Sequence, residues 1–143
     1  MTVQEVKAVL NGARDSVRAY RLAKDKVNAY KQLLTSGKTV RYESDGSTHE
    51  QNGNPIERAY CCLADYETEL NNAVAEMVRC RKTAERLISS VEDRTQREVL
   101  TRRYIIGQRW EDIAYVMNYS RRRITQLHGA ALNNISLNFP FFL

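Results

Sequence analysis

The chain has 143 residues, of which 43% are apolar and 27% are charged, and its formal net charge is +5. This length fits one compact domain, or a small domain joined to an extended element. No apolar run approaches the roughly 20 residues that a membrane-spanning helix needs, and the first residues lack the apolar core of a signal peptide. The composition therefore argues against membrane-spanning helices and predicts a protein of the cytoplasm.

The chemistry-bearing residues do not form a catalytic or metal-binding pattern. Cys61, Cys62 and Cys80 are an odd number of cysteines in a chain with no export signal, which favours free thiols. His49 and His128 lie far apart, and no Cys or His has zinc-finger spacing. No carboxylate pair, nucleophile–base set or phosphate-binding loop stands out. We therefore expect no metal, no cofactor, no catalytic residue and no enzymatic activity.

Residues 1–35 are predicted to form one long helix, because apolar side chains recur at alternating steps of three and four residues. The repeat consists of Val3, Val6, Leu10, Ala13, Val17, Tyr20, Val27 and Leu34. Lys24 and Lys31 occupy two positions where the repeat requires an apolar residue. We expect the apolar seam to narrow there, or the lysine stems to lie along it. Gly37 is suited to end the helix.

Residues 36–54 are polar and glycine-bearing, and they predict a surface loop. A second helix is predicted over residues 55–90, with Asn54 as its cap and Glu57 completing a capping box. Its apolar repeat is Ile56, Ala59, Leu63, Tyr66, Leu70, Ala73, Met77, Cys80, Ala84, Leu87 and Val91. Two amphipathic helices joined by a loop predict an antiparallel coiled-coil hairpin, a stalk over residues 1–90.

Residues 91–135 contain three shorter segments with helical periodicity. Asp93 is suited to cap the first of them and Gly107 to end it, while Ser120 is suited to cap the third. The predicted segments are residues 94–106, 110–117 and 120–133.

The last two of these segments have the spacing of a helix-turn-helix. Ala114 is small enough for two helices to approach closely, and Asn118 can adopt the left-handed conformation at the turn. Ile124 and Leu127 would then point back into the core. The predicted fold is all-α: a two-helix hairpin, a three-helix domain with a helix-turn-helix, and an apolar tail over residues 136–143 that is either a docking strand or a cover for the stalk.

The N-terminal half of the third segment is basic and polar. In a recognition helix this half meets base edges in the major groove, where Arg pairs with guanine and Gln with adenine. Positive charge at a helix N-terminus opposes the helix dipole and is better explained beside a phosphate, although the same residues would also fit an ordinary solvated face. The predicted DNA contacts are Ser120, Arg121, Arg122, Arg123, Thr125, Gln126 and Arg109.

A further pattern extends over residues 87–133. It consists of Gln96-Arg97-Glu98-Val99-Leu100, Arg103-Tyr104-Ile105, Gly107, Trp110-Glu111, Ile113-Ala114, Tyr119-Ser120 and Ala131-Leu132. With these residues the stretch resembles region 4 of sigma factors, and still more the RinA/ArpU-like family of phage late-gene transcriptional activators. Over residues 1–86 the resemblance is one of architecture alone.

The resemblance implies roles for the residues of the third segment. Base-reading positions match Arg121, Arg122 and Gln126, whereas positions that contact the DNA backbone match Ser120, Arg123 and Thr125. There are departures from the sigma pattern as well. Arg122 stands where sigma factors commonly have an acidic residue, which implies a DNA site different from a sigma promoter element. Arg109 replaces the small capping residue that often precedes the Trp, which weakens the start of the helix over residues 110–117. His128 and Gly129 replace better helix formers, so we expect the recognition helix to end early or bend.

Together these observations predict a sequence-specific regulator of transcription that binds double-stranded DNA. The resemblance implies a phage or prophage origin, the cytoplasm of a bacterial host and RNA polymerase as a further partner. Apolar residues outside the two helical stripes leave self-association open, with a dimer as the favoured oligomer. Two alternatives also stay open: an oligomeric DNA-packaging protein of the small terminase type, and a sigma-like module that binds RNA polymerase.

Overall fold

The computed structural model describes residues 1–35 and 55–141, and within them every regular element is helical. The helices are α1 (Val3–Thr35), α2 (Pro55–Ser89), α3 (Arg94–Leu100), α4 (Trp110–Met117) and α5 (Arg121–Asn138). A π-helical turn, Thr101–Ile106, continues α3 directly. The predicted all-α fold is confirmed, and none of the described helices is long and apolar enough to cross a membrane. The predicted loop 36–54 lies outside the described residues.

Packing divides the chain into two compact units, Met1–Arg18 with Glu76–Leu143 and Ala19–Ala75. In the second unit, α1 and α2 pack side by side. Lys26 Nζ lies 2.9 Å from Glu69 Oε1, and Lys31 Nζ lies 3.6 Å from Glu67 Oε1. Residue numbers therefore rise along α1 while those of their partners fall along α2. The predicted antiparallel helix pair is confirmed.

The apolar seam of α1 does not narrow at the two lysines. Ala23 and Val27 are each only 3% exposed, and the ring of Tyr30 packs edge-on against Tyr66 on α2. Lys24 and Lys31 are exposed. Because 3.6 residues per turn let a stripe drift across the helix surface, the residue before each lysine takes over its seam position. The expectation of a narrowed seam is therefore wrong.

The core of the first unit draws on both ends of the chain. Its fully buried members are Val6, Leu10, Ala84, Leu87, Val91, Leu100, Ala131 and Ile135. They come from the start of α1, the end of α2 with the connection after it, α3, and the second half of α5. The domain boundary predicted near residue 90 therefore passes through a shared core.

Local signals set the ends of α3 and its π-helical continuation. The Asp93 side chain accepts hydrogen bonds from the backbone N–H groups of Thr95, at 2.8 Å, and Gln96, at 3.0 Å. Gly107 ends the π-helical turn with φ at 86°, in the left-handed region that glycine adopts without steric cost. Both predicted end signals are confirmed.

The fifth helix is longer than the sequence predicts. It continues through Gly129 to Asn138, so the expected early end or bend is wrong, and residues 136–138 of the predicted tail are helical. Ala131 and Ile135 are fully buried, and their packing outweighs the low helix propensity of glycine. Phe139 then packs against the core of the first unit, whereas Phe141 is 82% exposed.

Candidate nucleic-acid interface

A short capped turn joins α4 to α5. Asn118 adopts the left-handed conformation with φ at 57° and ψ at 42°, as its position predicts. The N–H of Tyr119 donates to the Ala114 carbonyl at 3.0 Å, which satisfies an acceptor at the end of α4. Ser120 Oγ accepts a hydrogen bond from the N–H of Arg123 at 3.1 Å and caps α5. These bonds fix the direction in which α5 leaves the turn.

A small apolar cluster holds the inner side of α5 in place. Ile124 and Leu127 pack with Val99 of α3 and Ile113 of α4, and Trp110 packs at the edge of this cluster. All four clustered side chains are buried. The arrangement of α4, turn and α5 is thus a helix-turn-helix with its own core, and the opposite side of α5 is left outside it.

Two of the predicted base-reading residues lie on that outer side. Successive residues are rotated by about 100° around a helix axis. Arg122 and Gln126 therefore share a face roughly opposite Ile124, and both are exposed. Arg123 is also exposed but lies towards one flank of the helix. The structure brings Arg122 and Gln126 together, one helical turn apart.

Arg121 and Thr125 lie on the other flank of α5. Arg121 Nη1 pairs with Glu111 Oε1 at 3.0 Å, and Thr125 Oγ1 donates to the Arg121 carbonyl at 3.1 Å. Both residues line a pocket together with His128. The structure therefore separates Arg121 from Arg122 and Gln126, with which the sequence grouped it.

Arg109 lies at the start of α4. It is the N-cap residue, but its side chain makes no capping hydrogen bond, which agrees with the weak helix start that the sequence implies. Its Nε lies 3.2 Å from Asp112 Oδ2, and this hydrogen bond raises the pKa of the Arg109 guanidinium. The Arg109 side chain is exposed and carries its charge at the surface of α4.

The pocket beside α5 has a volume of about 420 Å³, and sequence reasoning did not predict it. Four parts of the first unit form it: α1, the π-helical turn, α4 and α5. Its lining residues are Lys7, Asn11, Arg103, Tyr104, Trp110, Arg121, Thr125 and His128. It thus combines three cationic side chains with two aromatic rings.

Arg103 is held firmly at this pocket. Its guanidinium lies 4.4 Å from the centre of the Trp110 ring, and its Nη1 donates to the Gln108 carbonyl at 3.2 Å. Burial, and then the positive charges of Arg14 and Arg18, lower the pKa of Arg103. The guanidinium is consequently positioned by a ring and a carbonyl.

His128 forms the inner wall of the pocket. Its Nε2 lies 2.7 Å from the Tyr104 hydroxyl, and its ring packs edge-on against Trp110 with 4.8 Å between the ring centres. Burial is the main reason why its pKa falls from 6.5 to about 4, and the positive charges of Lys7 and Arg103 lower it further. The imidazole is therefore neutral at pH 7.

The sequence did contain a signal for the contribution of α1. Lys7, Asn11, Arg14 and Arg18 follow one another at steps of four, three and four residues, so they share one face of α1. The sequence predicts a stalk for residues 1–90, however, and does not place these basic residues at the site. Only the packing of α1 beside α5 shows that this face borders the helix-turn-helix.

Comparisons of the chain with protein-family models, with curated proteins and with solved structures gave no match. The resemblance to region 4 of sigma factors therefore stays a prediction from the sequence.

Proposed function

We propose that the protein is a sequence-specific regulator of transcription that binds double-stranded DNA with the N-terminal half of α5 in the major groove. One observation carries the proposal: Arg122 and Gln126 project from the exposed face of a helix whose direction is fixed by a capped turn and a dedicated core. Fixing the helix that carries the base-reading side chains lowers the entropy lost on binding, compared with a mobile segment.

The chemistry of the two side chains suits base edges. Arg pairs bidentately with O6 and N7 of guanine, and Gln pairs with N6 and N7 of adenine. Four residues of helix rise about 6 Å, and successive base pairs are about 3.4 Å apart. Arg122 and Gln126 would therefore meet bases about two steps apart. The free N–H groups behind Ser120, with Arg123 on the flank, are suited to a backbone phosphate.

The sigma-factor resemblance extends the proposal to the setting. It implies a regulator of phage or prophage origin that acts in a bacterial cytoplasm and contacts RNA polymerase. A second copy of the chain would bind the second half-site of a palindromic operator. The two half-sites would be separated by one helical turn of DNA or a multiple of it.

The proposal can be tested by selecting bound duplexes from a random DNA pool. We expect the wild-type protein to enrich a defined motif. The double variant Arg122→Ala/Gln126→Ala should relax the preference at two positions of that motif, since each bidentate contact contributes about 1–3 kcal/mol of discrimination. Salt-dependent binding to unrelated duplexes should persist, because it depends on phosphate contacts.

A matched control removes a positive charge elsewhere in the first unit. Arg86→Ala changes an exposed residue of α2, and it should leave both motif and affinity as they are in the wild type. Unfolding curves of all variants would show that the fold is kept. Failure of the wild-type protein to enrich any sequence at low or high salt would refute the proposal.

A further inference from the structure

Positive charge accumulates in the pocket beside α5 without a matching number of acids. Lys7, Arg103 and Arg121 line it from three different parts of the fold. Arg121 is paired with Glu111, whereas Lys7 and Arg103 form no ion pair with any residue in the described ranges. Like charges held close together repel one another, so an anion in the pocket would be stabilised by these cationic side chains.

The same face of α1 adds two more cations. Arg14 and Arg18 lie near enough to Arg103 to lower its pKa. In addition, Arg14 Nε is buried and has no hydrogen-bond acceptor within the described residues. A buried donor without a partner is unfavourable, because it has lost its hydrogen bonds to water. The concentration of guanidinium groups at this place is thus costly to the free protein.

The chemistry of the pocket favours a phosphate over a base. An unstacked base would require an exposed aromatic face, but the guanidinium of Arg103 stacks on one face of the Trp110 ring and the His128 ring packs edge-on against it. Lys7 supplies a flexible point charge and Arg103 a planar set of donors, a combination suited to phosphate oxygens. Asn11 adds a neutral amide to the same wall.

We infer that this pocket binds a phosphate of the DNA backbone and that α1 is therefore part of the DNA interface. The inference rests on the proposed duplex binding by α5. Arg121 and Thr125, which line the pocket, lie on the flank of α5 next to the face that carries Arg122 and Gln126. A recognition helix in the major groove has the phosphates of the groove wall along its flanks. The pocket lies on such a flank of α5, where a backbone phosphate could enter it.

The test uses Lys7→Gln, which removes one charge from an exposed side chain, and Lys82→Gln on the exposed surface of α2 as the matched control. Binding of a short duplex of random sequence is measured over a salt series. Lys7→Gln should weaken binding roughly two- to fivefold at low salt and make the slope of log affinity against log salt shallower by about 1. Lys82→Gln should match the wild type.

Trp110 provides an independent readout, because it is the single tryptophan of the chain and it lines the pocket. Its fluorescence should change when duplex is added, and the change should be smaller for Lys7→Gln. Asn11→Asp places a carboxylate in the pocket at almost constant volume, and it should weaken binding at least as much as Lys7→Gln. Because Asn11→Asp is an independent substitution, the test does not depend on Lys7→Gln leaving the fold intact.

The outcomes separate the inference from the proposed function. If the duplex binds but both pocket variants keep the wild-type affinity, salt slope and Trp110 response, the phosphate site is refuted while base reading by α5 stands. If the variants change the salt slope but no sequence is ever enriched, the phosphate site stands and the sequence-specific function is refuted. Absence of any duplex binding refutes both.

Discussion

The buried imidazole of His128 predicts a loss of stability on mild acidification. Its pKa is about 4 in the folded protein and 6.5 when it is unperturbed. Between these values the unfolded chain binds a proton that the folded chain does not, so the free energy of unfolding falls as the pH falls. The contribution of His128 is complete above pH 6.5 and is lost as the pH drops through about 4.

The size of this effect follows from the pKa difference. One pKa unit is equivalent to about 1.4 kcal/mol, so the full difference would give about 3 kcal/mol. The His128 ring is partly open to solvent, which screens the charges of Lys7 and Arg103, and we therefore expect about 2 kcal/mol. This is a large share of the stability of a small protein, which is typically about 5–15 kcal/mol.

Urea unfolding at a series of pH values between 7 and 4 would measure the effect. Acidic residues also titrate in this range, so the informative quantity is the difference between the wild type and His128→Phe. This variant keeps a ring against Trp110 but cannot titrate, and its stability should depend less on pH. Gln4→Ala changes an exposed, uncharged residue of α1 and should keep the pH dependence of the wild type. Parallel curves for wild type and His128→Phe would show that the reasoning is wrong.

Two further predictions concern the helix-turn-helix. Asn118→Ala should lower the free energy of unfolding by about 1 kcal/mol, because alanine is strained in the left-handed conformation. Asn118→Gly should change it little. Equal effects of the two substitutions in urea unfolding would contradict this prediction. Ile124→Ala should cost about 2–5 kcal/mol, because the side chain is fully buried. Its control is Val116→Ala at an exposed position of α4, and a loss below 1 kcal/mol for Ile124→Ala would contradict the burial argument.

The helix ends were predictable because their signals are local. Asp93, Asn118 and Ser120 each act on backbone groups within a few residues, and the structure shows each in the expected conformation. The length of α5 was not predictable in this way. Its second half is stabilised by packing on residues of α1 and α2, which outweighs the unfavourable Gly129.

The candidate site likewise contains residues that local sequence signals predict and residues whose placement depends on tertiary packing. The exposed positions of Arg122 and Gln126 follow from helical periodicity once Ile124 is assigned to the core, so the sequence suffices for them. The pocket does not follow from periodicity, because Lys7 and His128 are far apart in the chain. Their proximity depends on which faces of α1 and α5 pack against each other, and this tertiary contact cannot be derived from the periodicity of one sequence.

The α5 helix contributes side chains to two cores. Its first half packs in the small cluster with α4, and its second half packs with α1 and the end of α2. Turning α5 about its own axis to present another face would expose apolar side chains at both ends at once. The helix therefore cannot rotate about its axis without exposing apolar side chains, and its orientation is fixed in the free protein. If the proposed DNA binding holds, substitutions at the buried start of α1 should therefore change the affinity for duplex DNA, although they lie outside the helix-turn-helix.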